Sequence, residues 1–204
     1  MNKGVVSVLV AYLIWGLYPF YFHAMQHVAP TEIVIHRVLW TFALLAVYLF
    51  CSRRWRWIQK AITDRRTVAV FLMSSVLITA NWSTYTYAIV TNQTLEASLG
   101  YFMNPLVSVL LGTVFLKEKL NKAQMLAIVF ACAGVMWVTF KQGEFPALGL
   151  TLALSFGFYG LVRKMAPLGS LEGLTLETAF AFPVALLATF YFAGNGDLTF
   201  VHGT

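Results

Sequence analysis

Apolar residues fall in long unbroken runs separated by short polar or basic segments, from one end of the chain to the other. A bilayer core of about 30 Å takes about 20 residues of helix at 1.5 Å rise, and this sets the length to look for. The stretches that meet it are Val5 to His23, Thr31 to Cys51, Thr67 to Val90, Leu95 to Leu116, Ala123 to Phe140, Phe145 to Val162 and Leu171 to Ala193. They predict an all-α integral membrane protein, a polytopic bundle of about seven transmembrane helices joined by short loops. The first run, Val5 to Phe22, has no charge and no small-residue cleavage site after it. It is therefore expected to remain as a span and not to be removed as a signal.

Composition agrees: 59% of residues are hydrophobic and 11% charged, against about 25% charged in soluble domains. The formal charge of +6 would suggest nucleic acid as a partner in a soluble protein, but the placement of the cations gives them another role. Lys3 precedes the first span. Arg53, Arg54, Arg56, Lys60, Arg65 and Arg66 lie between the second and third, Lys117, Lys119 and Lys122 follow the fourth, and Arg163 and Lys164 follow the sixth. These all fall on one side of the membrane, and the other side receives only Lys141. By the positive-inside rule the N-terminus is cytoplasmic, the protein a multi-pass component of the plasma (inner) membrane, and the seventh span ends outside. Trp55 and Trp57 among the arginines suit an interfacial segment facing anionic lipid better than an anionic-ligand site. Cys51 and Cys132 have no paired spacing and no nearby His, and are expected to be small core residues.

An internal repeat is visible. Leu13-Ile14-Trp15-Gly16-Leu17-Tyr18 resembles Leu154-Ser155-Phe156-Gly157-Phe158-Tyr159, and Glu32 with Arg37 matches Glu172 with Glu177, a period of about 140 residues. That period covers five spans, an odd number, so the second copy must be inverted. The expectation is a first five-helix repeat over residues 1–142 and the first two helices of a second over 143–204. An inverted five-plus-five architecture has ten helices, so the chain is expected to be a truncated form or one that needs a partner to complete the bundle.

Asn81-Trp82, Leu95-Glu96-Ala97-Ser98-Leu99-Gly100-Tyr101-Phe102-Met103-Asn104-Pro105-Leu106, Glu118, and Phe156-Gly157-Phe158-Tyr159-Gly160-Leu161-Val162-Arg163-Lys164 resemble the RarD-like transporters of the EamA family, in the drug/metabolite transporter superfamily. The resemblance extends to about residue 193 and includes Glu32, His36, Arg37 and Glu177. It implies a ten-helix inner-membrane carrier with a central cavity that opens alternately to each side, in a group associated by name with chloramphenicol sensitivity.

Ionisable groups inside a bilayer cost at least about 2.5 kcal/mol at its centre, so each is a candidate for the solute or ion pathway. Arg37 and Glu177 occupy repeat-equivalent positions and are expected to line the cavity, Arg37 attracting an anionic group and Glu177 carrying a coupling proton; a fixed ion pair is the competing expectation. His36, four residues from Glu32, suits a proton relay or an interfacial hydrogen bond. Asn104-Pro105 interrupts an apolar run, which predicts a kink and makes Tyr101 and Asn104 candidate cavity residues. Asn81, Trp82, Tyr85 and Tyr87 are candidates on the third span, with helix packing as the alternative. Pro19, Pro105 and Pro183 are candidate hinges or static kinks. Glu96 and Glu118 have expected capping or loop roles.

His23 and His27 have no acidic or Cys partner for a metal, and no nucleotide or cofactor motif occurs, so neither metal nor cofactor is expected. Clustered catalytic side chains are absent from the sequence and a non-enzyme is expected. The function expected is secondary transport of a small organic solute, metabolite or drug-like, by alternating access, with protons as the candidate coupling ion. The alternatives are a flippase for lipid or lipid-linked substrates and a transport-inactive fragment that needs a partner. The partners expected are that solute and the lipid bilayer, with no nucleic acid.

Overall fold

A computed structural model describes residues 3–53, 55–143 and 145–195. Arg54 of the basic stretch and the tail from residue 196 lie outside the described residues. The chain is all helix: α1 (Lys3–Ala24), α2 (Pro30–Ser52), α3 (Arg56–Thr63), α4 (Arg65–Val90), α5 (Thr94–Phe115), α6 (Lys122–Gln142), α7 (Ala147–Lys164) and α8 (Ser170–Asn195). Six of these, all but α3 and α7, are long and apolar enough to cross a bilayer. The chain is thus a multi-pass membrane protein. α7 corresponds to the expected sixth span; its 18 residues would extend about 27 Å, and its last turn carries Arg163 and Lys164.

Local sequence explains most boundaries. Pro30 opens α2 at its first turn, where a missing N–H costs nothing, and Ala29 precedes the helix. Asp64 caps α4 through the amides of Arg66 and Thr67. Asn121 and Gln124 form a capping box on α6, which ends at Gly143 with φ 72, a left-handed geometry that glycine adopts without strain. The short basic segment folds as the separate helix α3, which packs on α4. No strand occurs among the described residues.

The bundle is organised around α4. On one flank α7 packs against α5 and α4; on the other α8 packs against α2 and α4. α1 rests on α4 and α6 on α5. The α7 and α8 backbones do not approach each other closely, nor do those of α2 and α5. Two flanks therefore face each other across α4.

Helices in lipid gain little from burying apolar surface, so close backbone approach carries much of their association. Gly149, Ala153 and Gly157 place a row of small residues on one face of α7. A Cβ on Gly100 would stand 2.9 Å from the carbonyl oxygen of Gly149, and one on Gly157 would stand 2.6 Å from Val107. The α5–α7 seam is therefore built on glycine.

Apolar clusters mark the two ends. Phe22, Val28, Ile33, Tyr85, Ala88, Ile89, Ala97 and Leu152 form one near the α1–α2, α4–α5 and α6–α7 connections. Ala61, Phe71 and Leu176, with Trp57 and Phe180, form the other at the basic end. Two expectations are corrected here. Cys51 is exposed and Cys132 only half-buried, because both lie on outward faces of their helices. The acids have roles beyond their own helix: Glu96 Oε2 accepts from the Leu148 amide at 3.1 Å and so caps α7, and Glu118 takes Lys164 Nζ at 2.5 Å.

Candidate functional site

Arg37 lies seven residues into α2 from Pro30, about 10 Å along the axis. Its guanidinium stands 4.0 Å from the centre of the Trp82 ring and 6.0 Å from that of Tyr18. Tyr85 and Tyr101 lie within its electrostatic range and meet edge to face at 5.8 Å. Tyr85 also meets Phe22 edge to face at 5.8 Å. Three helices, α1, α4 and α5, thus bring aromatic rings around the cation on α2, and such rings attract a cation through their negative faces. Among the described residues no carboxylate stands within ion-pair distance of Arg37. Tyr101 is 51% exposed, on the α5 side of this box.

Glu177 is seven residues into α8 from Ser170, again about 10 Å along the axis, but counted from the basic end. It is 1% exposed and surrounded by donors. Ser74 Oγ donates to Oε1 at 2.5 Å, Tyr159 Oη donates to Oε2 at 3.3 Å, and Arg163 Nε stands 3.6 Å from Oε1. Ser75 Oγ donates to its backbone carbonyl at 2.6 Å. The Arg163 guanidinium lies 5.2 Å from the centre of Phe71 and across the Cα of Gly173. Its Nη2 donates to the Gly169 carbonyl at 3.1 Å.

Arg37 and Glu177 therefore do not meet. Their partners Trp82 and Ser74 are eight residues apart on α4, about 12 Å along the helix. The fixed ion pair that was the competing expectation between them is replaced by one between Glu177 and Arg163, because the two groups sit towards opposite ends of α4.

Between the two levels, Asn81 Nδ2 donates to the Leu152 carbonyl and to Ser155 Oγ, both at 3.1 Å. Asn81, Tyr101 and Asn104 line a small cavity with Gly100, Leu152 and Phe156, in which a water's centre could move over about 10 Å³, the room of a single water. Asn104 Oδ1 is buried with no hydrogen-bond partner.

A comparison with protein families matches residues 2–140 to the EamA-like transporter family. The chain belongs to that family. This EamA chain is 42% identical over 188 residues to "Uncharacterized transporter YojE" of Bacillus subtilis, covering 91% of its own length and 63% of the relative's. It is 40% identical over 194 residues to "Protein RarD" of Salmonella typhi, covering 95% of its own length and 66% of that protein's. At 29% identity over 203 residues it is also similar to "Chloramphenicol-sensitive protein RarD" of Pseudomonas aeruginosa. The chain thus spans somewhat less than two thirds of the first two relatives. No solved structure matches it.

Within this EamA chain, Arg37, Trp82, Tyr85 and Tyr101 come together, Asn81 and Asn104 line the adjoining cavity, and Glu177 stands apart from them. His36 is half-buried on α2, beside Arg37 in sequence. Tyr87 is 46% exposed. α1, α5 and α8 run through Pro19, Pro105 and Pro183 as continuous helices. Sequence reasoning missed Tyr18, Ser74, Tyr159, Gly173 and Arg163 as site residues. Two signals were available: Tyr159 and Arg163 share a helix face at i, i+4, and Gly173 leaves room one turn before Glu177.

Proposed function

We propose that this chain forms the solute pathway of a secondary carrier of the inner membrane, with its N-terminus cytoplasmic, moving a small organic anion by alternating access. One observation supports the reading: Arg37 is set among Trp82, Tyr18, Tyr85 and Tyr101 with no carboxylate within ion-pair distance among the described residues. A cation in a low-dielectric site is expensive unless paired, so a solute carboxylate or phosphate is the natural counter-ion. Arginine suits that task because its planar fork binds such groups through two donors. In this reading Glu177 carries the coupling proton, His36 relays it near the outer entrance, Asn81 and Asn104 offer the solute polar contacts, and Pro19, Pro105 and Pro183 act as hinges. Residues 1–142 constitute one five-helix repeat and 143–204 the start of its inverted copy.

The test is uptake into vesicles holding the purified chain, with organic anions and neutral analogues supplied in parallel and lipid scrambling followed in the same preparation. Saturable anion uptake that depends on an imposed pH gradient is expected. Scrambling of labelled lipid with no solute uptake would replace the carrier with a flippase, and uptake indifferent to the pH gradient would remove the proton from the account.

A further inference from the structure

The inner half contains an arrangement that solute binding at Arg37 does not use. α7 and α8 make no close backbone approach, yet Arg163 and Tyr159 of α7 both reach Glu177 of α8. Gly173 makes this reach possible, since any side chain there would collide with the Arg163 guanidinium. The grip is incomplete. Arg163 Nε is 3.6 Å from the carboxylate, and Nη1 is buried without a hydrogen-bond partner, although arginine and carboxylate commonly pair through two parallel bonds. A buried donor left unpaired is costly, and it marks a contact that can be surrendered without losing a full set of bonds.

We propose that Arg163, seated over Gly173 and held by Glu177, is a latch that closes the cytoplasmic end of the cleft between the α5–α7 and α2–α8 flanks, and that protonation of Glu177 releases it. The proton comes from cytoplasmic water and stays on the carboxyl group. Arg163 keeps its charge, loses its counter-ion, and swings outward from the last turn of α7 to the interface, where long basic side chains extend readily. The other groups around Glu177 leave it the switching element. From α4 it meets the hydroxyls of Ser74 and Ser75, and from α7 Tyr159 besides Arg163. α2 packs on α8 through Ile35, Val38 and Phe42, and α3 presents Trp57 and Ala61 towards Leu176 while its Arg56 and Lys60 are exposed. The inference rests on the carrier reading for its purpose and for which side is cytoplasmic.

The test uses the full chain with Cys51→Ser and Cys132→Ser and a single reporter, Thr178→Cys, next to Glu177 and 2% exposed. Its labelling by a membrane-impermeant maleimide is followed in inside-out and right-side-out vesicles. Rates are normalised at each pH to exposed Gln59→Cys, which removes the thiol's own pH dependence. With the latch intact, labelling from the inner face is slow at neutral pH and quickens as pH falls. Glu177→Gln makes it fast and independent of pH. Gly173→Ala raises it by about tenfold or more, since breaking a buried ion pair shifts an opening equilibrium at least that far. Monodisperse elution and unchanged Gln59→Cys labelling show that each variant is folded. A reporter that stays unreactive in both folded variants overturns the latch. The same pattern seen only from the opposite face keeps the latch and overturns the assigned orientation instead.

Discussion

Arg37, half-buried, and Glu177, buried, each lie seven residues into their helices, α2 and α8, and meet opposite surroundings. Glu177 has internal partners on every side, with two hydroxyl donors and a guanidinium brought to it from α4 and α7. Arg37 has aromatic faces and, among the described residues, no acid within ion-pair distance. A charge with internal partners belongs to the protein's own stability and switching, whereas one without them is left for something that arrives. The two share a place along their helices, and the neighbours decide the role.

Removing the charges one at a time should separate these roles most strongly. Glu177→Ala frees Arg163 and leaves the buried Ser74 and Tyr159 hydroxyls without their charged acceptor, which should cost about 3 kcal/mol, seen as a large fall in thermal midpoint in detergent. Arg37→Ala removes a cation with no acid partner and should leave that midpoint unchanged or raise it. Equal losses in the two variants would erase the distinction.

Next in size is the frame that holds the halves apart. Gly157→Val puts a branched side chain where Val107 already stands 2.6 Å from an added Cβ; such overpacking costs about 1–3 kcal/mol. It should loosen α5 from α7 and weaken both halves alike, readable as faster amide exchange in both helices.

A smaller effect is expected beside the Arg37 level. Asn81→Ala removes the bonds to the Leu152 carbonyl and Ser155 Oγ, a loss of about 1 kcal/mol. Solute affinity should fall with it if Asn81 also faces the pathway, while a drop in stability alone would confine it to packing.

The smallest effect lies outside the membrane. The Thr67 hydroxyl and amide, with the Arg66 amide, hold the Asp64 carboxyl below its ordinary value of 3.8. A depressed folded value means stabilisation that is present above 3.8 and lost as pH falls through the folded one. Asp64→Ala should therefore lower stability slightly at neutral pH and flatten its acid dependence, with no change in solute selectivity.

Much of the architecture was legible in the sequence because span length and apolar content are set by the bilayer, and six of the expected spans pass by length and composition alone. The candidate residues were legible for the same reason: Arg37 and Glu177 are conspicuous in apolar surroundings. Their partners were not. Arg163 lies at a helix end, where it read as one more interfacial cation, and only the angle at which α7 and α8 meet α4 turns it inward to Glu177. Gly173 was silent because the space it leaves matters only once another helix's arginine is there to fill it. Glu96 was read as serving its own helix, while the fold uses it to cap α7.

The most direct test of the distinction is selectivity. Uptake of matched pairs, each a carboxylate and its neutral amide, would be compared in vesicles holding the parent chain, Arg37→Lys and Glu177→Gln. Arg37→Lys keeps the charge and loses the fork, so the preference for the carboxylate should collapse there and persist in Glu177→Gln, where only the coupling to pH should change. A preference that survives Arg37→Lys intact, or vanishes only in Glu177→Gln, would contradict the assignment of Arg37 as the solute's counter-ion.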